Sequence, residues 1–310
     1  METEPDRHAA LVANLRRHVD RLAGLIGPRH LGRPLNLAAA ATLIERELSQ
    51  SGYPVERLPY LVGTQEVVNL VAESPGARRK GEIVVLGAHY DTVPATPGAD
   101  DNASAVAVLI EVARLMRPWS TERTVRFVAF PCEEAPHFHL GEMGSEIYAK
   151  LCRSRGERIV GMLCLEMVGY YSSEPRSQRI PPAIPKALRW AFPRRGDFLA
   201  AVGNLRSWRL LWKFRRGFKR AVRFPLFSIG LPEALQEIRR SDNSSFWDQG
   251  YPALMLTDTS FLRNPHYHLA SDTPETLDYE RMAQVALGVL GGVAAVARAS
   301  RGTRGGDPTA

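Results

Sequence analysis

The chain has 310 residues, 45% of them hydrophobic in type, with a formal net charge of +7. That is enough apolar material for one large core, or two domains at most. The surplus charge is confined to one stretch: no acidic residue lies between Asp197 and Glu233, while Arg206, Arg209, Lys213, Arg215, Arg216, Lys219, Arg220 and Arg223 supply eight cations. The remainder is near neutral, so overall basicity is poor evidence for nucleic-acid binding, and none is expected.

In chain order, Leu11, Leu15, Val19, Leu22 and Ile26 keep helical spacing. A second helix is predicted over residues 37–50, with Gly52 placed to stop it. Strands are predicted over 55–61, 67–73 and 83–88. The last is a short continuous apolar run, which suits a strand buried on both faces. Residues 102–116 read as a helix, 125–130 as a buried strand, 142–153 as a helix and 159–168 as a strand. Two short strands, 198–202 and 253–256, precede a final helix over 279–296. This alternation predicts a three-layer α/β/α sandwich around a mixed, mainly parallel sheet. One domain is expected over residues 1–300, with 301–310 as a flexible tail. Trp208, Leu211, Trp212, Phe218 and Val222 sit near helical spacing within the basic stretch. They are expected to pack inward under a solvated basic face, with contact to an anionic membrane through 206–223 as the less favoured alternative. No apolar stretch reaches the ~20 residues needed to span a bilayer. The polar N-terminus and the odd set of Cys132, Cys152 and Cys164 fit a reducing cytoplasm. A form with its leader removed would carry the same signature.

In open α/β sheets, ligands bind beyond the carboxyl ends of the strands. His89 and Asp91 follow one predicted strand, Glu133 and Glu134 follow another, and Glu166 lies at the end of a third. Each alone has a bland reading: a lone His after a strand is a surface or core-edge residue, and adjacent Glu residues in a loop are solvated. Glu166 is harder to dismiss, because it interrupts an apolar run and a buried carboxylate needs a cation or a proton. The segment 97–104 places Asp100 and Asp101 before a helix, and 264–273 supplies His266 and His268. Carboxylates with imidazoles suit zinc or a similar divalent ion. His89, Asp101, Glu134, Glu166 and His268 are enough for two metals, with Glu133 left over as a candidate general base.

The segments GAHYDT (87–92), PGADDNAS (97–104), the Glu pair 133–134 with MGSEIYA (143–149), LEMVGY (165–170) and NPHYHLASDTPETLDYERM (264–282) together resemble the di-zinc exopeptidase family of aminopeptidase Y and the secreted bacterial leucine aminopeptidases. Glutamate carboxypeptidase and the one-zinc glutaminyl cyclases are relatives. The resemblance implies a metal-dependent hydrolase acting on peptides or amino-acid amides, most simply an aminopeptidase. A carboxypeptidase, an amide deacylase or a one-zinc acyltransferase are the alternatives. It implies that His89, Asp101 and Glu166 hold one zinc, that Asp101, Glu134 and His268 hold the other, that Glu133 is the general base and that Asp91 fixes the tautomer of His89. It also implies a cis peptide at Asp101–Asn102. Three positions depart from the family pattern: Glu166 stands in place of Asp, Ala105 in place of Gly, and Asn243 in place of a His expected near the substrate. His137, His139 and His266 are not expected among the ligands. Cys132 is expected to pack as a small hydrophobe rather than act as a nucleophile.

Overall fold

A computed structural model describes residues 4–301. Its centre is an eight-stranded sheet in the order β1-β2-β5-β3-β6-β9-β7-β8. The strands are β1 (Val55–Val62), β2 (Gln65–Ser74), β3 (Arg79–His89), β5 (Arg123–Phe130), β6 (Arg158–Glu166), β7 (Leu199–Asn204), β8 (Leu226–Leu231) and β9 (Ala253–Thr257). Four neighbouring pairs are parallel, β5–β3, β3–β6, β6–β9 and β7–β8. Pairs β1–β2, β2–β5 and β9–β7 are antiparallel. A separate ribbon joins β4 (Trp119–Thr121) to β10 (Ala299–Arg301). Arg301 thus closes a strand, and the rest of the expected tail lies outside the described residues.

The alternation of side chains along β3 and β5 sorts the core into two layers. Val84, Leu86, Val125 and Phe127 face α1 (Glu4–Val19), α2 (Pro34–Gln50), α3 (Ala105–Met116), α5 (Trp208–Ala221) and α7 (Tyr279–Ala297). Val85, Val128 and Phe130 face the other way, onto Tyr148 and Cys152 of α4 (Gly144–Ser154) and Phe246 and Trp247 of α6 (Asn243–Asp248). The three-layer expectation therefore holds.

Helix α7 is long and apolar enough to cross a membrane by length and composition, contrary to the expectation that no such stretch exists. Two-thirds of it is buried inside the protein, with Met282, Val285, Val289 and Val293 in the core. Helix α5 departs from expectation more sharply. Its inward residues are Leu210, Phe214, Gly217 and Phe218, whereas Trp208 and Trp212 point outward, 59% and 54% exposed. The cause is the partner helix. Gly288, Gly291 and Gly292 of α7 leave room for Phe218, Ala221 and Phe214, so the tight seam runs through residues that a count of large hydrophobics ignores.

Candidate metal centre

Strands β5, β3 and β6 are adjacent and parallel, so their carboxyl ends lie side by side. His89 is the last residue of β3 and Glu166 the last of β6, while Glu133 and Glu134 follow β5. Asp101 enters from the loop before α3. The expected helix start at residue 102 is wrong here. Asp101 and Asn102 have non-helical backbone angles, the Asp101–Asn102 peptide is cis, and α3 begins only at Ala105. The side chain of Asn102 donates to Leu165 O (3.1 Å) and accepts from Met167 N (2.9 Å). That pins the Asp101 loop to the end of β6.

These elements bring together all six residues singled out in the sequence for direct roles. His89 Nε2 lies 3.4 Å from Asp101 Oδ1 and 3.4 Å from Glu166 Oε2. His268 Nε2 lies 3.1 Å from Asp101 Oδ2 and 3.3 Å from Glu134 Oε2. Asp101 thus offers one oxygen to each group, and within each triplet the potential ligand atoms lie within 4.8 Å of one another. Glu133 belongs to neither triplet, and its Oε2 sits 3.8 Å from His89 Nε2. The donor set fits a cation on a second ground. His89 Nε2, Asp101 Oδ1, Glu134 Oε1 and His268 Nε2 are all buried without a hydrogen-bond partner. Orphaned buried polar atoms that converge on one place are expected where an ion binds.

The electrostatics express the same crowding. Burial pushes Glu134 up to about 8, with Asp101 adding to the effect. Burial also lifts Glu133 well above the usual carboxylate range against the attraction of His89, with Glu166, Glu134 and Asp242 adding to the rise. Asp101 goes the other way: burial alone would raise it, but the close approach of the His268 and His89 imidazoles holds it below its ordinary value. Burial would lower His89, yet Glu133 and Glu166 raise it well above its ordinary value. Burial likewise opposes His268, and the adjacent Asp101 and Glu134 carboxylates take it up to about 10.

Asp91 does more than face His89 Nδ1 at 3.4 Å. Its two oxygens accept the backbone N–H groups of Glu133 (3.1 Å) and Glu134 (3.0 Å), so it positions both glutamates as well as the imidazole. Asp272 does the same for the other loop, accepting from Asp100 N (2.9 Å) and Asp101 N (3.1 Å). Fully buried Arg29 clamps that loop from behind, donating to the carbonyls of Leu22, Gly27, Tyr90, Pro97 and Gly98. Sequence reasoning missed Asp272 and Arg29.

The remaining candidates have partners elsewhere. His137 Nδ1 meets Glu142 Oε2 at 2.7 Å, His139 Nε2 meets Ser244 Oγ at 3.1 Å, and His266 Nδ1 meets Ser271 Oγ at 2.9 Å. Burial, with Asp91 adding, pushes the Cys132 thiol well up, which disfavours the thiolate. Asn243 does not face the site as expected. The start of α6 turns it inward, and its Nδ2 donates to Ile238 O at 2.9 Å. Its neighbour Ser241 reaches the site instead, donating to Glu166 Oε2 at 2.6 Å.

An apolar groove opens beside Glu166 and Tyr267, with Phe198, Phe227, Ile229 and Met255 among its walls. Strand β8 and the loop 178–193, which build much of it, carried no prediction. The Tyr267 ring stacks on His268, with centroids 3.7 Å apart, at the boundary between groove and polar cluster.

The sequence model of peptidase family M28 matches residues 69–293. Among curated proteins, YfbL of Escherichia coli K12, described as uncharacterized, is 36% identical over 292 residues, covering 92% of this chain and 88% of that protein. A probable leucine aminopeptidase 1 of Trichophyton verrucosum is 30% identical over 244 residues, covering 74% of this chain but only 58% of the fungal protein. Among solved structures, BSAP, a zinc aminopeptidase from Bacillus subtilis, superposes with a TM-score of 0.71 at 16% identity, covering 91% of this chain and 94% of the other. Fimbriiglobus ruber glutaminyl cyclase gives 0.67 at 20% identity, covering 92% and 95%. At these identities the likeness to solved structures is one of fold.

Proposed function

Because the chain belongs to peptidase family M28, we propose that it is a metal-dependent aminopeptidase whose His89, Asp101 and Glu166 hold one zinc ion and whose Asp101, Glu134 and His268 hold a second. The observation that carries this reading is the division of Asp101, one oxygen toward each triplet, with Glu133 left outside both. Ions bound there supply Lewis acidity, polarising a scissile carbonyl and lowering the pKa of an attacking water.

The chain's own residues do the rest. Glu133 accepts the proton of the attacking water and passes it to the departing amine, a role that needs a carboxylate beside the ligands and not among them. Asp91 holds Glu133 and Glu134 in register through their amides, and Asp272 holds Asp101 in the same way. Ser241 fixes the rotamer of Glu166 through its hydroxyl, which accommodates the arm one methylene longer than the Asp of the family pattern. The groove walled by Phe198, Phe227 and Met255 receives an apolar side chain of the N-terminal residue and strips water from it. The leucine aminopeptidase name of the fungal relative supports that choice of substrate.

The test uses the purified chain loaded with zinc or cobalt. Leucyl anilide should be cleaved, N-acetyl-leucyl anilide should not, and chelator should abolish turnover. Glu133→Gln should retain its metal content and lose activity by roughly 10²–10⁴-fold. Cleavage of the blocked substrate would move the reading to another amide hydrolysis. Cyclisation of an N-terminal glutaminyl peptide without anilide cleavage would move it to acyl transfer. Metal loss in Glu133→Gln would put Glu133 among the ligands.

A further inference from the structure

Helix α5 has two faces, and the sheet uses only one. The inner face, Leu210, Phe214, Gly217 and Phe218, is buried against α7 and the core. The outer face carries Trp208, Trp212, Arg215 and Lys219 at helical spacing, and Leu205 extends the row from the preceding turn. Leu205, Trp208 and Trp212 are 60%, 59% and 54% exposed. The guanidinium groups of Arg209 and Arg216 lie over the rings of Trp208 and Trp212, at 5.2 and 5.4 Å from the centroids. Among the described residues, none of the eight cations between Arg206 and Arg223 takes part in an ion pair. A basic face merely solvated by water needs neither tryptophan.

We infer that the outer face of α5 docks on an anionic lipid surface, with Leu205, Trp208 and Trp212 at the headgroup boundary and the flanking Arg and Lys side chains on lipid phosphates. Amphipathic indole rings favour that boundary, and a polybasic cluster supplies attraction to anionic headgroups. Binding strength at such a surface scales with both contributions. A nucleic acid would be drawn by the same charges. The exposed aliphatic Leu205 at one end of the row, however, suits an acyl boundary and offers a base no ring to stack on.

The topology agrees with a working orientation. Strand β7 runs antiparallel to β9, and β9 runs parallel to β6. Ala200 is therefore level with Thr257 and Glu166, at the end of the sheet that carries the metal centre, whereas Gly203 and the turn into α5 lie toward the opposite end. Helix α5 runs back along one face of the sheet, where Leu199 and Ala201 share its core cluster, whereas the alternate residues Ala200 and Val202 line the groove on the other face, so docking through α5 leaves the substrate groove uncovered.

The test is cosedimentation of the full chain with vesicles of phosphatidylcholine alone and of phosphatidylcholine mixed equally with phosphatidylglycerol. The anionic vesicles should bind the protein, with a blue shift of its tryptophan emission, and ~0.5 M salt should release it. The double variant Trp208→Ala/Trp212→Ala should bind about tenfold more weakly, and Arg215→Glu/Lys219→Glu should weaken binding similarly. Far-UV circular dichroism and peptidase turnover should be unchanged in both, since these side chains touch neither the core nor the metal centre. Equal binding to neutral vesicles, no binding to either, or full binding by both variants would overturn the inference. So would binding of a single-stranded RNA that depends on both tryptophans while vesicles do not bind, or a wild-type dimer that the tryptophan double variant dissolves.

Discussion

Replacing Arg29 by Met removes the clamp behind the Asp101 loop while leaving the volume filled. The guanidinium makes five donor contacts, to Tyr90 O (2.8 Å), Leu22 O (3.0 Å), Gly27 O (2.9 Å), Pro97 O (2.7 Å) and Gly98 O (3.0 Å), with the two hydrogens of Nη1 shared among Leu22, Gly27 and Pro97. At about 1.5–3 kcal/mol for each of the four N–H groups engaged, the gross sum is roughly 6–12 kcal/mol. Two effects reduce it. Burial lowers the Arg29 pKa to about 10 against the attraction of Asp272, Asp91 and Asp101, so removing the charge recovers roughly 3 kcal/mol net. Relaxation and water entry recover more, because such contributions are not additive. The expected net loss is about 3–5 kcal/mol, the range for breaking a buried charged network. Urea unfolding followed by far-UV circular dichroism measures it, and metal content per chain measures the consequence for Asp101. Arg29→Lys should fall between, since an ammonium has three donors and no fork. A loss below about 1 kcal/mol with full metal content in Arg29→Met would refute the reasoning, and the five contacts would then be geometry without energetic weight.

Asp91→Asn turns an NH2 group toward one of the two amides that the carboxylate now accepts. It should cut kcat/KM by about 10–100-fold, with metal affinity falling alongside because Glu134 is displaced; unchanged kinetics would remove Asp91 from the positioning role. Metal uptake should release protons at neutral pH, since His268 is raised to about 10 and Glu134 to about 8 and both must deprotonate to bind an ion. Calorimetry in buffers of different ionisation enthalpy reads that release, and apparent affinity that does not fall on acidification would contradict it. In the metal-free protein the sign runs the same way for both groups. Their folded values exceed the unfolded ones, so their stabilising contributions are full below 4.5 for Glu134 and 6.5 for His268. Those contributions are lost as pH rises through about 8 and about 10 respectively. Phe227→Ala enlarges the groove where Phe227 meets Phe192 and Phe198. It should lower kcat/KM for leucyl substrates by roughly 10–100-fold while sparing larger aromatic ones; a uniform loss across substrates would take Phe227 out of the specificity wall.

Much of the sheet was legible because buried parallel strands write continuous apolar runs, as at 83–88 and 125–130. The convergence of His89, Glu133, Glu134 and Glu166 was legible because strand-end residues of neighbouring parallel strands must meet. The boundary errors have a common physical origin. Asn102 has the chemistry of a helix cap, but its side chain is spent on Leu165 and Met167, so the helix starts three residues later. Strand β8 is half-exposed along its whole length, an edge strand without the saturated apolar pattern of β3. Trp208 and Trp212 were assigned inward because they are large and apolar, whereas the packing of α5 is decided by glycines on both sides of the α5–α7 seam.

The supports of the site were invisible for a different reason. A ligand announces itself by what its side chain can offer, and a His or Glu at a strand end offers little else. Asp272 looks like any polar residue in a turn until the chain brings it to the amides of Asp100 and Asp101, 172 and 171 positions away. Arg29 lies in a short loop, and its side chain makes all its long-range bonds to carbonyls, which every residue possesses and no sequence pattern marks. The two share one task. Asp272 holds the loop from its amide side and Arg29 from its carbonyl side, and Asp272 is the strongest of the carboxylates that sustain the Arg29 charge in full burial. Loss of either should therefore loosen the same loop, and the double variant should cost less than the sum of the singles. Strict additivity would show that the two act on Asp101 independently.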